Sequence, residues 1–402
     1  FFPEKYKKDC IEKSYQWILQ RLNGNDGLGG IFPAMVNSLI ALSIDEKKRF
    51  TKEVVIASNA IKSLIIEKET FAYCQPCVSP IWDSGWMGHV LLENKKNVDG
   101  LVDWFLKKEI TTQGDWAFKK NVEPGGWAFQ YNNIFYPDVD DTALVGMFLD
   151  RHNSEKKEKK IEEIIERTRK WILGMQSENG GWGAFDIDNN HKYLNYIPFA
   201  DHGALLDPPT SDVSARCLSF LKQVNDPRDA LAINNGLNYL LSEQEKDGSW
   251  FGRWGTNYIY GTWSVLCALN ILKFPGKEKV IQKASEYLKS TQRPDGGWGE
   301  DGKTYFHNIR NFSKKSTPSQ TSWALMGLLA AGQINCKEAE KGLKYLLKFK
   351  DLNWEEEYFT AVGFPKVFYL KYHGYSKYFP LLAISKIKNQ LNSNSQPHLY
   401  GV

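Results

Sequence analysis

Apolar side chains recur at helical spacing along much of the chain. Between residues 161 and 175 the inward positions are Ile161, Ile164, Ile165, Thr168, Trp171, Ile172 and Met175, one face of an amphipathic helix. The Asn179-Gly180 pair then stops the periodicity. Further helical runs are predicted over 213–221, 261–272 and 322–331, and no sustained alternation of apolar and polar positions predicts strands. One short phrase follows the helices repeatedly: Gln176-Ser-Glu-Asn-Gly-Gly-Trp182, Gln244-Glu-Lys-Asp-Gly-Ser-Trp250 and Gln292-Arg-Pro-Asp-Gly-Gly-Trp298. Worn copies stand at 348–354, ending in Trp354, and at 22–30. Helix, Gly-Trp turn, helix, repeated, predicts an all-α fold, either an open solenoid or a closed α/α toroid. The Gln amide is expected to bond the backbone of a neighbouring turn while the Trp covers it, so these tryptophans read as helix clamps and not as ligand contacts. The run 155–163, dense in both signs of charge, reads as the solvated face of an outer helix.

Composition narrows the function. Length, at 402 residues, allows two or three domains. A formal charge of +4, from 51 basic and 47 acidic residues, is too thin to draw nucleic acid, which is excluded as a partner. The six cysteines are scattered, so no disulfide scaffold is predicted, and Cys74-x-x-Cys77 has no second Cys or His pair to complete a metal site. No metal is expected. The longest apolar run, 323–332, is about half what a bilayer crossing needs. The opening Phe1-Phe2-Pro3, without Met and followed by Lys5, Lys7 and Lys8, has no signal-peptide pattern and suggests a chain cut from something longer. The aromatic content stands out: 14 Trp, 19 Tyr and 22 Phe make 14% of the residues, the kind of side chain that holds apolar or cationic matter.

The sharpest chemical feature is Tyr136-Pro-Asp138-Val-Asp140-Asp141-Thr-Ala143 at the mouth of a helix predicted over 142–149. Helix-terminal chemistry alone accounts for acids there, since carboxylates meet unsatisfied amides and the positive end of the dipole. Three crowded carboxylates cannot all ionise in a low-dielectric site, however, so one retains its proton above the usual range. Such a proton, with a cation ready to stabilise the conjugate base, can be delivered to a weak base such as a carbon–carbon double bond. A carbocation then forms, and it needs aromatic walls, each ring offering roughly 0.5–2 kcal/mol. Phe129, Trp254, Tyr260, Phe364, Phe368, Tyr372 and Tyr375 flank the acids in sequence or follow the Gly-Trp turns. Phe364, Phe368, Tyr372 and Tyr375 also fall at helical spacing, which reads equally as core packing.

The Gln-x-x-x-Gly-x-Trp turns together with Asp138-Val-Asp-Asp-Thr-Ala143 closely resemble the squalene–hopene cyclases, class II triterpene cyclases. The resemblance covers essentially the whole chain, through Gly29-Gly-Ile-Phe-Pro33, Ser79-Pro-Ile-Trp-Asp83, Gly125-Gly-Trp-Ala-Phe-Gln130, Ile197-Pro-Phe-Ala-Asp201, Asp207-Pro-Pro-Thr210, Gly248-Ser-Trp-Phe-Gly-Arg-Trp-Gly255, Ser316-Thr-Pro-Ser-Gln320 and Gly363-Phe-Pro365. It implies an all-α architecture: an α/α toroid (α6–α6 barrel) over 78–402 carrying the acids, preceded over 1–77 by the tail of a second α/α barrel. By the same resemblance Asp140 protonates the terminal double bond of squalene, flanked by Asp138 and Asp141, and the cation is guided to hopene or hopanol in hopanoid biosynthesis. The cation-stabilising rings fall at Trp82, Phe129, Trp254, Phe364, Phe368, Tyr372 and Tyr375. Gln130 and Tyr260 lie near the acid and its returning proton, and Phe199 lines the constriction through which substrate enters.

Asp212 and Arg216 are four apart on one predicted helix, a spacing that by itself gives a modest surface ion pair. The resemblance instead sets Arg216 against the aspartates, where some members carry histidine; a guanidinium sharpens the acid but relays no proton. Phe185 stands where some members have tyrosine, and Phe32 where some have glutamine near the far end of the cavity, which leaves the quenching step open. No cofactor is implied. Squalene's insolubility and the family imply peripheral, monotopic attachment on the cytoplasmic side of a membrane surface, and the resemblance admits a homodimer. Rivals are an oxidosqualene or diterpene cyclase on the same fold, an α/α-barrel glycosidase, and a helical-repeat binding scaffold whose aspartates only cap a helix.

Overall fold

A computed structural model describes residues 3–118, 122–197, 205–273, 276, 278–306, 309–310, 313–392 and 401–402. Three helices come first, α1 (Glu4–Gln20), α2 (Phe32–Ser43) and α3 (Thr51–Ser63), followed by a hairpin of β1 (Ile65–Glu67) and β2 (Ala72–Cys74) with Ile65 opposite Cys74. This part holds two small apolar clusters of its own, one around Tyr15, Leu42 and Phe50 and one of Met35, Ala60 and Leu64. Helices then alternate between two layers. The inner and outer members are α4 (Pro80–Glu93) and α5 (Asp99–Lys108), α6 (Val139–Lys156) and α7 (Lys159–Gly174), α8 (Ser211–Val224) and α9 (Ala230–Ser242), α10 (Tyr258–Leu272) and α11 (Glu278–Ser290), and α12 (Pro318–Ala330) and α13 (Lys337–Lys348). A final inner helix is α14 (Tyr375–Asn392). Each inner helix packs on the next, and α14 packs back on α4, so the ring closes into an α/α toroid.

The two layers differ because their sequences do. Inner helices are buried all round, as α6 is from Val139 to Leu149, whereas the outer α7 buries one stripe, including Ile161, Ile164, Ile165, Thr168, Trp171 and Ile172, the positions its periodicity predicts. Each inner helix returns through an outer one, so the inner helices run in one direction and their first turns gather at one end of the ring. Two short hairpins sit at that end: β3 (Trp127–Ala128) with β4 (Pro137–Asp138), and β5 (Ala361–Phe364) with β6 (Phe368–Leu370).

The Gly-Trp turns fasten the layers together. Gln176 Nε2 donates to Gly180 O (2.8 Å) and to Ala232 O (2.9 Å) in the first turn of the next outer helix; Gln244 does so to Gly248 and Val280, and Gln292 to Gly296 and Glu338. The fully buried indoles of Trp182, Trp250 and Trp298 donate Nε1–H to Ile172, Leu240 and Leu288 at the ends of the preceding outer helices. Their backbone amides donate to Ser214, Thr262 and Thr321 on the inner helices that follow. Trp127, which lacks the Gln, keeps the other two bonds, to Phe105 O and Thr142 Oγ1, and the worn copy's Trp354 bonds Leu346 O. Glycine is required at the turn: Gly180 has φ +90°, and a Cβ there would lie 2.4 Å from Asn235 O. Replacing Gln292 by Ala strands two carbonyls and is expected to cost about 1–3 kcal/mol in urea unfolding. A change below about 0.5 kcal/mol, the range of an ordinary surface substitution, would mean that the amide fastens nothing.

Two sequence readings are corrected. Phe364, Phe368, Tyr372 and Tyr375 do not share a helix: the bulged β5–β6 hairpin occupies that stretch, because Pro365 has no amide to offer a helix and Lys366 adopts φ +70°, and only Tyr375 begins α14. The charged run 155–163 is not one helix face. It spans the end of α6, a left-handed turn at Lys157 (φ 55°) and the start of α7. Among the described residues no helix is long and apolar enough to cross a membrane.

Candidate active site

A cavity of about 520 Å³ opens at the end of the ring where the inner helices begin. Its wall takes Trp82 from α4, Asp138 from the end of β4, Asp140 and Asp141 from α6, Tyr375 from α14, Phe129 and Gln130 from the loop after β3, and Phe364 and Leu370 from the second hairpin. Phe185 and Trp254 come from the loops before α8 and α10, and Tyr372 from the segment before α14. Trp17, Leu28, Gly29, Ile31 and Ala34 of the N-terminal part close one side.

Asp138 ends β4 and caps α6, its Oδ1 accepting from the amides of Asp140 (2.7 Å) and Asp141 (3.1 Å), so the helix-terminal role anticipated for these acids belongs to this one. Asp140, in the first turn of α6, faces Arg216 of α8: Nε of the guanidinium donates to Oδ1, and Nη2 approaches Oδ2 at 3.4 Å. The same Nη2 donates to the Tyr260 hydroxyl at 2.9 Å. Arg216 is enclosed by rings, with its guanidinium carbon 5.1 Å from Trp82, 5.4 Å from Trp86 and 5.9 Å from both Tyr260 and Trp263. Asp141 is buried with Oδ1 unpartnered.

Burial pushes all three carboxyls above the ordinary aspartate range. Asp138 rises to about 8, through burial and then repulsion from Asp140. Asp141 rises well above its usual value through burial and both neighbours. Asp140 rises only to about 6, because Arg216 opposes the burial. Burial also works against the charge of Arg216, but Asp140 outweighs it and the guanidinium is held protonated. Of the three, Asp140 is therefore the strongest acid that still retains its proton in mildly acid solution.

Asp212 does not bond Arg216, although one helical turn separates them. Its Oδ2 accepts instead from the amides of Arg253 and Trp254, each at 2.9 Å, and so fixes the loop carrying the Trp254 ring. Asp207 acts likewise on the Phe185 loop, accepting from the amides of Ala184 (3.1 Å), Phe185 (2.6 Å) and Asp186 (2.8 Å). The two rings thus presented meet edge to face, centroids 6.2 Å apart. Trp82 Nε1 donates to the Tyr375 hydroxyl at 3.0 Å, and Phe129 and Tyr372 stand 5.9 Å apart.

The structure thus brings Asp138, Asp140, Asp141, Gln130, Trp82, Phe129, Phe185, Trp254, Phe364, Tyr372 and Tyr375 to one cavity. Arg216, Tyr260 and Asp212 stand behind its wall. Gln130 bonds Gly29 O (3.3 Å) and Asn133 (3.1 Å), joining the N-terminal part to the toroid instead of contacting the acids. Phe368 packs edge to face on Phe364, 5.2 Å away, without reaching the wall. Phe32 packs against the Met35 cluster: Ile31, the extended residue before α2, and Ala34 in its first turn take the cavity face, and Phe32, two residues before Ala34, lies about 200° around the helix from it. Phe199 lies outside the described residues. Sequence reasoning missed Trp86 and Trp263 around Arg216, whose only signal was an aromatic on each inner helix, and Arg253 on the cavity wall. Among the described residues no cluster of His, Cys, Asp and Glu forms a metal site.

Residues 78–389 match the family model described as squalene-hopene cyclase C-terminal domain, and residues 1–70 the corresponding N-terminal domain. The chain is 45% identical to the squalene–hopene cyclase of Zymomonas mobilis over all of its own length and 64% of that protein. It is 46% identical to the enzyme so named of Bradyrhizobium diazoefficiens, covering 98% of this chain and 62% of the other. It therefore spans somewhat less than two thirds of these relatives. Among solved structures, ent-copalyl diphosphate synthase from Streptomyces platensis superposes with a TM-score of 0.54 at 18% identity, over 77% of this chain and 51% of that one, a likeness of fold.

Proposed function

The chain belongs to the squalene–hopene cyclase family, and on that premise we propose that it cyclises squalene by a single protonation. The observation that supports this is the setting of Asp140, with an aromatic cavity before it and an enclosed guanidinium behind. The carboxyl gives its proton to the terminal double bond; the π electrons form the new C–H bond, and a tertiary cation remains. Each remaining double bond attacks in turn, closing a ring and moving the charge onward, while the Asp140 carboxylate is stabilised by Arg216. Proton loss from the last cation gives hopene, and addition of water followed by loss of a proton from the oxonium oxygen gives hopanol. Phe129, Trp254, Phe364, Tyr372, Tyr375 and Trp82 supply π faces along the path. Residues 78–402 act here as the catalytic barrel, and 1–77, as the tail of a second barrel, complete its wall.

The proposal includes monotopic attachment on the cytoplasmic side of a membrane, from which an insoluble substrate is drawn. Exposed Tyr193, Tyr196 and Leu205 lie on the excursion whose Asn189 and Leu205 line the cavity, a placement suited to meeting lipid. Incubation of the protein with squalene, read by gas chromatography with mass detection, is expected to give pentacyclic C30 products. Recovery of squalene alone would defeat the reading.

A further inference from the structure

Arg253 stands on the cavity wall in an unusual state for a largely enclosed cation. Its guanidinium carbon lies 4.1 Å from the centroid of Trp254 and 5.7 Å from that of Phe364. It makes no hydrogen bond or ion pair through its side chain among the described residues, and Nη1 is buried without a partner. Arg21, Arg151, Arg167, Arg169 and Arg216 each hold a carboxylate. Of the acids that act on it through space, Asp207 gives both oxygens to backbone amides, and Asp212 gives Oδ2 to two of them while its Oδ1 stays buried without a hydrogen bond, so neither pairs with the guanidinium. The position is nevertheless fixed, because the amide of Arg253 is one of those that Asp212 holds.

An unpaired charge in such a place is costly to fold around, and packing alone would favour a neutral side chain. Its effect on the proposed reaction follows from the rings it covers. A guanidinium on one face of an aromatic ring draws the π electrons to that face, so a second cation on the other face gains less, and the two cations also repel through a water-poor medium. Positive charge in the cavity is therefore held less well at Trp254 and Phe364 than at Phe129, Tyr372 and Tyr375, which among the described residues have no guanidinium over their rings.

Resting on the cyclase reading, we propose that Arg253 determines product specificity: its fixed charge keeps the growing cation from dwelling beside Trp254 and Phe364, where proton loss to water or carboxylate would release mono- or bicyclic olefins.

The test compares the wild type with Arg253→Lys, which keeps the charge, and Arg253→Met, which keeps apolar bulk without it. Each is incubated with squalene and analysed by gas chromatography, with thermal melting as the check on folding. Arg253→Met is expected to raise the share of mono- and bicyclic products about fivefold, and Arg253→Lys to stay within about twofold of the wild type. Equal profiles in all three proteins, equal shifts in both variants, or a larger shift in the lysine variant overturn the proposal. Should Arg253→Met fail to fold, Arg253→Gln carries the same expectation. A wild type that forms no cyclic product removes the cyclase reading and this inference with it, whereas cyclisation without the stated contrast removes this inference alone.

Discussion

An Asp140→Asn protein is expected to fold and to lose cyclisation by about 10⁴-fold, the upper end of what one positioned acid contributes. The substitution removes the transferable proton and little else: the amide oxygen still accepts from Arg216, whose charge also acts on Asp141. The cost of leaving the guanidinium without its full partner is thereby kept below the about 3–5 kcal/mol of a broken buried pair. Asp138→Asn provides the contrast. Asparagine caps a helix as well as aspartate does, so that variant should melt near the wild type and retain much more activity. Gas chromatography after squalene incubation, with melting temperatures in parallel, decides between them. If Asp140→Asn still cyclised, or if Asp138→Asn were the inactive one, the proton would belong to a different carboxyl.

Removing the cation from behind the acid has two opposed consequences. Arg216 holds Asp140 down against burial, so in Arg216→Met the carboxyl rises above its value of about 6. A group that must be protonated to act then stays competent to higher pH, and the descending limb of the rate profile moves to the alkaline side. The plateau falls by about a hundredfold, since a weaker acid with an unsupported conjugate base transfers its proton less readily. Arg216→Lys, keeping the charge, should return the limb close to its original position. A plateau that drops with no movement of the limb would show that Arg216 only packs among Trp82, Trp86, Tyr260 and Trp263.

Much of this arrangement is legible in the chain because local rules produce it. Gln292, Gly296 and Trp298 lie within one turn, so their clamp is a short-range event, and the stripe from Ile161 to Ile172 follows from helical period alone. Asp138 through Asp141 announce themselves by crowding. Relations across the ring are hidden: Arg216 meets Asp140 only because α8 packs on α6, and nothing in the spacing of Asp212 and Arg216 reveals that one turns to a loop and the other to a neighbouring helix. The hairpin at 361–370 was masked by an accidental match to helical period that ignored Pro365. Phe32 failed for a rotational reason, since the two residues that separate it from Ala34 put it on the opposite face of α2. Arg253 carried no signal, because an absent partner leaves no trace in a sequence.

The clamps and the cavity rings are separated by very little chain. Phe129 follows Trp127 by two residues, Phe185 follows Trp182 by three, and Trp254 follows Trp250 by four. Each reactive surface therefore hangs on a short tether from an immobile peg, and the outline of the guest space is set by tether length and composition while the pegs hold the ring shut. Refitting the pocket for a differently shaped polyene is then a matter of editing a few tether positions, a route by which new skeletons arise without rebuilding the scaffold.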